Sequence, residues 1–334
     1  MKPNKFYLHD LSALALLSSG ATYANQLASA PTLEGGFDAS VGIWYAVPTA
    51  DNQEYATLPN TVTSVESVQH VEFDYNAGLL ATVGYVFEDS ANGVELAYRL
   101  FNAENNDEVA PGNQGVYAPI FNDNYNSAHS NQSYEFNSFD LMVNQFLDVG
   151  RAVQMRFAIG ASYVSLEQEE DNVYFDTVEL HQTLFDVSDT VARSSEFSGF
   201  GPRVGVDARY DFGNGIGVLG ASSLAYYLGE LNLEDTFTQS VPMEPDVVSS
   251  LANDTSNHGV LNVRANLAID YVFFLANQDR TAVGIELGYQ FDYYDNIVQR
   301  ATYDAQDMQE MTYTESDSLA VSFSGPYINL KGAF

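Results

Sequence analysis

From residue 37 onward the chain alternates apolar and polar residues with a period of two. In the clearest run, Val71, Phe73, Tyr75, Ala77 and Leu79 continue through Ala81, Val83, Tyr85 and Phe87. Glu72, Asp74, Asn76, Thr82 and Glu88 hold positions between them. A strand places the two sets on opposite faces, whereas a helix scatters both around its circumference. The pattern recurs over 37–45, 94–100, 134–147, 153–163, 200–212, 216–228, 261–273, 283–293 and about 318–334. Ten strands are expected, each of about 11–17 residues.

The connectors between these runs alternate in length. Segments 88–93, 148–152, 213–215 and 275–280 are short, whereas about 46–69, 102–133, 167–195, 229–257 and 295–316 are long. Asp211-Phe212-Gly213-Asn214-Gly215 is a hairpin signal, because Gly and Asn tolerate positive φ. Strict alternation of tight turns and long loops is the layout of a transmembrane β-barrel, with turns in the periplasm and loops outside the cell. A soluble sandwich has no reason to sort its connections this way. In hydrocarbon every backbone group must be paired, so the sheet is expected to close into an antiparallel up-and-down barrel. A hairpin hidden around 116–121 would raise the count to twelve.

Aromatic residues cluster at the expected strand ends. Phe87, Phe146, Phe212, Phe273 and Phe334 lie by the turns or the terminus, and Tyr45, Tyr163, Tyr226, Tyr227 and Tyr293 by the loops. Two interfacial girdles have this form. With the apolar set on lipid, the polar set lines the lumen. Its acidic members are Asp38, Glu72, Asp74, Glu95, Asp140, Asp207, Asp211, Asp270, Glu286 and Asp292. Its basic members are Arg99, Arg156, Arg203, Arg209, Arg264 and Lys331. An acidic excess in a water-filled lumen would draw cations. Ten strands, however, lie near the eight whose interior side chains fill, so a narrow or gated lumen is expected rather than a wide channel.

Composition supports this picture. Lys and Arg number 12 against 45 Asp and Glu, a net charge of -33, which argues against a nucleic-acid partner. With 46% hydrophobic and 13% aromatic residues the chain has too much apolar material for an acidic disordered tail. It has no cysteine, so neither a disulfide scaffold nor a thiol catalyst is available. Residues 1–24 read as an export signal: Lys2 and Lys5 precede the apolar run at 11–17, and Thr22-Tyr23-Ala24 offers a cleavage site. The barrel domain is then residues 25–334.

Candidate chemistry changes little. His70, His129, His181 and His258 lie in or beside the long loops without a paired catalytic motif, so no enzyme, cofactor or metal is expected. Glu167-Gln168-Glu169-Glu170-Asp171 reads as a solvated charge run, since it lacks calcium-loop spacing. Two functions remain: a pore for small, preferentially cationic solutes, or a closed structural or adhesive barrel that displays its loops.

Ser198-Gly199-Phe200-Gly201-Pro202-Arg203-Val204-Gly205, the hairpin at 211–217, and the C-terminal run from Phe323 to Phe334 carry a more specific likeness. They resemble the Legionella-type major outer membrane protein family of pore-forming proteins. The resemblance implies a porin-like channel in the Gram-negative outer membrane that favours cations, with roles in attachment at the cell surface. Members with disulfide-linked assembly need cysteines, which this chain lacks. The expected partners are the lipid bilayer and lipopolysaccharide, the barrel-assembly machinery, small solutes and a second copy of the chain. Ile328, Leu330 and Phe334 share the lipid phase of the last strand and are the expected assembly signal. Leu319, Val321 and Phe323 lie on the opposite parity, which predicts a β-bulge at Gly325-Pro326.

Overall fold

The computed structural model describes residues 35–50, 53–59, 67–110, 115–119, 124–180, 183–274, 282–305 and 311–334. The expected signal at 1–24, the short connector at 275–280 and His181 lie outside them. Ten strands close into one antiparallel barrel: β1 (Gly36–Ala50), β4 (Asn76–Val86), β5 (Asn92–Val109), β8 (Ser127–Val149), β9 (Val153–Leu180), β10 (Thr183–Gly213), β11 (Ile216–Ser240), β12 (Val247–Phe274), β13 (Ala282–Ala305) and β14 (Met311–Ala333). Each pairs with its neighbours in sequence order, and β14 closes on β1 from Asp38↔Ala333 to Ala50↔Val321. The seam is also held at its end. Phe334 N donates to Phe37 O at 2.8 Å, and Phe37 N to Phe334 O at 3.2 Å.

The period-two pattern works as expected in the turn half of the wall. Val41, Ile43, Leu141, Ile159, Ile269 and Leu287 face outward and are exposed, while their sequence neighbours point inward. At the turn after β10, Gly213, Asn214 and Gly215 all take positive φ (88°, 55° and 81°), which favours glycine and asparagine there. Phe87, Phe212, Phe273 and Phe334 are exposed at this end, and Tyr45, Tyr163 and Tyr226 further along the wall. Two girdle members turn inward instead. Phe146 lines the lumen and Tyr227 is fully buried, because both share the inward parity of their strands.

The strands are longer than periodicity suggests. The tract 167–195 is almost entirely strand, and most of 229–257 and 295–316 is too, so these regions are extended hairpins rather than loops. The wall is consequently uneven: β10 has 31 residues, whereas β4 has 11. Residues 71–75, despite their alternation, form no strand. Val71 is buried and Phe73 packs on interior clusters, so the apolar residues there serve the interior instead of lipid.

A second, four-stranded sheet packs on the inner face of the long strands β8–β11, in the order β3-β2-β6-β7, from β2 (Glu54–Leu58), β3 (Ser67–His70), β6 (Val116–Tyr117) and β7 (Asn124–Tyr125). The suspected hairpin near 116–121 thus exists as β6 and β7, but it joins this small sheet and leaves the barrel at ten strands. No register shift occurs at Gly325-Pro326: Gln290↔Gly325 and Tyr289↔Pro326 continue one uninterrupted ladder. The expected bulge is absent because Val321 and Phe323 face the lumen, which is apolar at their level. Register shifts occur elsewhere, including between Gly229 and Glu230 in the β11–β12 ladder and between Tyr294 and Val298 in the β13–β14 ladder.

Candidate functional site in the barrel lumen

The inward side chains form successive layers. At the turn end, Arg156 joins Glu95 and Asp207, and Lys331 joins Glu286. Arg209 Nε donates to Asp270 at 2.8 Å. Tyr327 Oη donates to Glu286 at 2.8 Å, its ring lying over Gly288, where a Cβ would come within 2.7 Å of it. Asp38 lines the same space.

The next layer spans the lumen. Arg264, on β12, donates through Nε to Asp292 at 2.9 Å and through Nη1 across the barrel to Asp140 on β8 at 2.8 Å. Arg203 reaches Asp140 at 3.1 Å, and Arg99 reaches Asp292 at 3.3 Å. Ser162 donates to Asp140, Asn262 to Asp292 at 2.6 Å, and Arg203 Nη2 to Tyr227 Oη at 2.6 Å. Such burial is sustainable because each carboxylate meets more than one donor. Between this layer and the turn end lies a cavity of about 540 Å³.

Above the ion-pair layer the lumen is filled by apolar side chains. Trp44, Phe101, Tyr134, Phe136, Phe197, Tyr294 and Phe323 are fully buried in one cluster. Phe323 is its hub, with ring centroids 5.1 Å from Phe136, 5.4 Å from Phe101 and 6.2 Å from Trp44. A further polar level follows, in which Arg193 binds Glu170 at 3.0 Å and Asp235 at 3.1 Å. The small sheet then seats Tyr55, Ala56, Val116 and Tyr125 against Ala128, Tyr174, Val191 and Phe237 of the wall. Tyr174 Oη donates to Tyr55 O at 2.8 Å. The β13–β14 hairpin also leans inward, Gln299 N donating to Ser195 Oγ at 3.1 Å.

These placements sort the sequence candidates. Asp38, Glu95, Arg99, Asp140, Arg156, Arg203, Asp207, Arg209, Arg264, Asp270, Glu286, Asp292 and Lys331 lie on the inward face, most of them in the ion pairs above. Glu72 and Asp74 do not join them; both are exposed in the non-strand segment before β4. Asp211 sits at the turn, exposed, accepting from Gly213 N at 2.7 Å and Arg209 at 3.2 Å. Ile328, Leu330 and Phe334 face outward. The lumen therefore presents Asp38, Glu95, Asp140, Asp207, Asp270, Glu286 and Asp292 against six cations, and the expected acidic excess shrinks to one charge.

The match to the family model described as the Legionella pneumophila major outer membrane protein precursor covers residues 29–334. The chain belongs to this family. Its place is the Gram-negative outer membrane, and the exposed apolar wall is the surface that meets the bilayer. No curated protein gives a significant match. Among solved structures, the outer membrane protease OmpT of Escherichia coli aligns over 91% of this chain and 99% of its own, at 10% identity and a TM-score of 0.42. A Pseudomonas aeruginosa FadL homologue aligns over 90% of both chains at 6% identity and a TM-score of 0.24. The P. putida toluene transporter TodX aligns over 89% of both at 8% and 0.24.

Sequence reasoning missed the aromatic layer and the Glu170–Arg193–Asp235 triad. The signal was present: Tyr134 and Phe136 share the parity of Asp140, and Gln168 and Glu170 that of Arg156. Of the histidines, His70 is exposed on β3, His129 lies on the outward parity of β8, and His258 is buried. His258 Nε2 lies 2.6 Å from Asn296 O, and its ring meets Phe197 edge-on. Among the described residues no group of three or more His, Asp or Glu could hold a metal ion.

Proposed function

We propose that this family member is a narrow, gated pore for small solutes, with cations favoured by its acidic extracellular hairpins. One observation carries the reading: the lumen below the aromatic layer is charged and contains a sizeable cavity, and what blocks it above is side chains and a folded-in sheet. Side chains and loop-borne sheets move without breaking the barrel ladder, so closure and wall are separable. The near-balanced lumen contributes little selectivity. Outward Glu135, Glu167, Glu169, Glu196 and Glu234 instead form a negative patch on the outer face of the adjacent strands β8–β11, which concentrates cations beside the mouth. No catalytic step is part of this reading.

The runner-up is a closed barrel that displays its hairpins, favoured by the complete burial of Trp44 and Phe323. Planar-bilayer recordings on refolded protein separate the two. The pore reading expects small conductance steps from the native chain and larger ones from Phe323→Ala, with reversal potentials favouring cations. Silence from both proteins would establish the display role instead, and anion preference would remove the role given to the hairpins.

A further inference from the structure

Above the tyrosine level β12 and β13 part. They pair continuously from Phe274↔Ala282 to Leu261↔Asp295, and there the ladder stops. β12 extends beyond it to Val247 with β11 on one side, and among the described residues no strand pairs with its other edge. β13 extends to Ala305 with β14 on one side, and its edge toward β12 is equally free. Two neighbouring strands thus carry unpaired backbone edges just above their last common rung. From Val247 to Asn257 no residue is buried, and Asp254 is the only charged one. A long edge strand is ordinarily guarded by charge or proline, because its free N–H and C=O groups take up any strand that reaches them.

The ladder stops because β13 turns inward. Ile297, Val298 and Gln299 are buried in succession, which a wall strand with one face on water cannot achieve. Ile297 and Val298 join the aromatic cluster, and Gln299 N bonds Ser195 Oγ on β10. β14 follows β13, paired with it from Val298↔Leu319 upward, and leaves β1 at Ala50↔Val321. The two form an arm tied to the wall only at its base. That base is a clasp of side chains. Asn257 and Asn296 both take positive φ (60° and 67°), a conformation asparagine tolerates. Asn296 Nδ2 donates to Gly259 O at 3.0 Å, and His258 Nε2 donates to Asn296 O at 2.6 Å. Neither 247–260 nor 296–305 contains proline, so both edges can give every N–H to a ladder.

We infer that this arm is the moving part of the closure: it swings out of the lumen about Asn257 and Asn296 and zips onto the free edge of β12. The inference rests on the gated-pore reading and gives the gate its residues. Continuing the antiparallel count past Leu261↔Asp295 sets Val260 opposite Asn296 and Gly259 opposite Ile297. The two free edges then satisfy each other, and the aromatic cluster loses Ile297 and Val298. Joining the wall carries Ile297 to the outward parity of Phe291 and breaks the bond from Gln299 to Ser195. Those losses keep the folded-in state the commoner one, while the new rungs make the zipped state accessible.

The test is disulfide trapping in the refolded full barrel, which has no cysteine of its own. Ala301→Cys is combined in turn with Asp254→Cys, Thr255→Cys and Ser256→Cys, and cross-linked peptides are read by mass spectrometry. One of the three pairs should cross-link under mild oxidation. Ser195→Ala leaves Gln299 N unmade in the folded-in state alone, so it should speed trapping about tenfold. Asn296→Gly keeps the backbone freedom but deletes the bond to Gly259 O, and should act in the same direction. Heat-dependent migration in electrophoresis verifies that each variant is folded. No cross-link from any pair, with or without Ser195→Ala, would overturn the inference, because the arm would then be a fixed plug. A rate that Ser195→Ala leaves unchanged would do the same, since the pair would be close without opening. In planar bilayers the trapped protein should give larger steps than the reduced one, and equal steps would remove the arm from the gate. Were both silent, the pore reading alone would fall, and the trapping rates would still decide whether the arm moves.

Discussion

The two halves of the barrel wall are built on one alternation but invert its chemistry. Toward the turns, outward positions are Val41, Leu141, Ile159, Ile269 and Leu287, and inward ones are Arg156, Asp207, Arg264 and Glu286. Beyond Tyr163 and Tyr226 the order reverses. Outward positions become Glu135, Glu167, Glu196 and Glu234, while Phe136, Leu166, Phe197 and Leu233 fill the interior. The cause is the solvent. Hydrocarbon surrounds the first half, so polar groups are driven inward; water surrounds the second, so apolar groups are. The barrel turns inside out just beyond its tyrosine level, where an apolar layer fills the interior, and the buried Arg193, Glu170 and Asp235 above it are a polar exception. Polar core and apolar core are then consequences of what lies outside.

If the halves differ in this way, the largest effect belongs to the charged one. Asp292 is fully buried and accepts from Arg99, Arg264 and Asn262. Asp292→Ala strands the Arg99 guanidinium and takes from Arg264 one of its two carboxylates, and should cost about 3–5 kcal/mol in urea unfolding of the refolded barrel. A loss below about 1 kcal/mol would mean that the ion-pair layer is hydrated well enough to tolerate the vacancy, and the contrast with the apolar half would blur.

A smaller effect is expected where the small sheet meets the wall. Tyr174→Phe deletes the hydroxyl that donates to Tyr55 O but keeps the ring that packs beside Tyr125. The net cost should be about 1 kcal/mol, the usual value of one such bond. Hydrogen exchange localises it: amides of β2 and β3 should exchange faster, while those of β9 in the turn half stay unchanged. Loosening throughout the barrel would show that sheet and wall form one cooperative unit, contrary to a separable closure.

The inversion also explains how much could be read from the sequence. Strand number, antiparallel order and the tight turns at 88–93, 148–152 and 213–215 were legible, because outward Val, Ile and Leu over the lipid-facing half give clean alternation. The charged lumen residues on those strands fell on the inward side by the same count. What failed was the assumption that apolar always means outward. At Gly325-Pro326 the apolar set changes parity while the ladder does not: Phe323 faces the apolar interior and Ile328 the lipid. A change of solvent was read as a bulge. Carboxylate-rich 167–171 was read as loop for the same reason, since its outward positions are acidic once the wall leaves the membrane. The small sheet left almost no local signal, because β6 and β7 are two residues each and owe their existence to packing on Tyr174, Val191 and Phe237.

The smallest effect tests the outer face of the extracellular half. Glu167 lies between Glu135 on β8 and Glu196 on β10, directly paired with each, and four residues past Tyr163 on β9. Partial burial, then repulsion from Glu169, Glu196 and Glu135, raises its pKa above the ordinary glutamate value. A raised carboxylate destabilises the folded hairpin while ionised, and that penalty disappears as pH falls through its folded value. Hairpin protection should therefore increase on acidification from pH 7 toward about pH 5. Glu167→Gln should show that gain already at neutral pH and respond less to acid. Because the row is open to solvent, the change should be no more than about 0.5 kcal/mol. Hydrogen exchange of the β9 and β10 amides flanking Glu167 reads it. An identical acid response in native and Glu167→Gln protein would remove repulsion as its source and leave burial of other carboxylates to account for it.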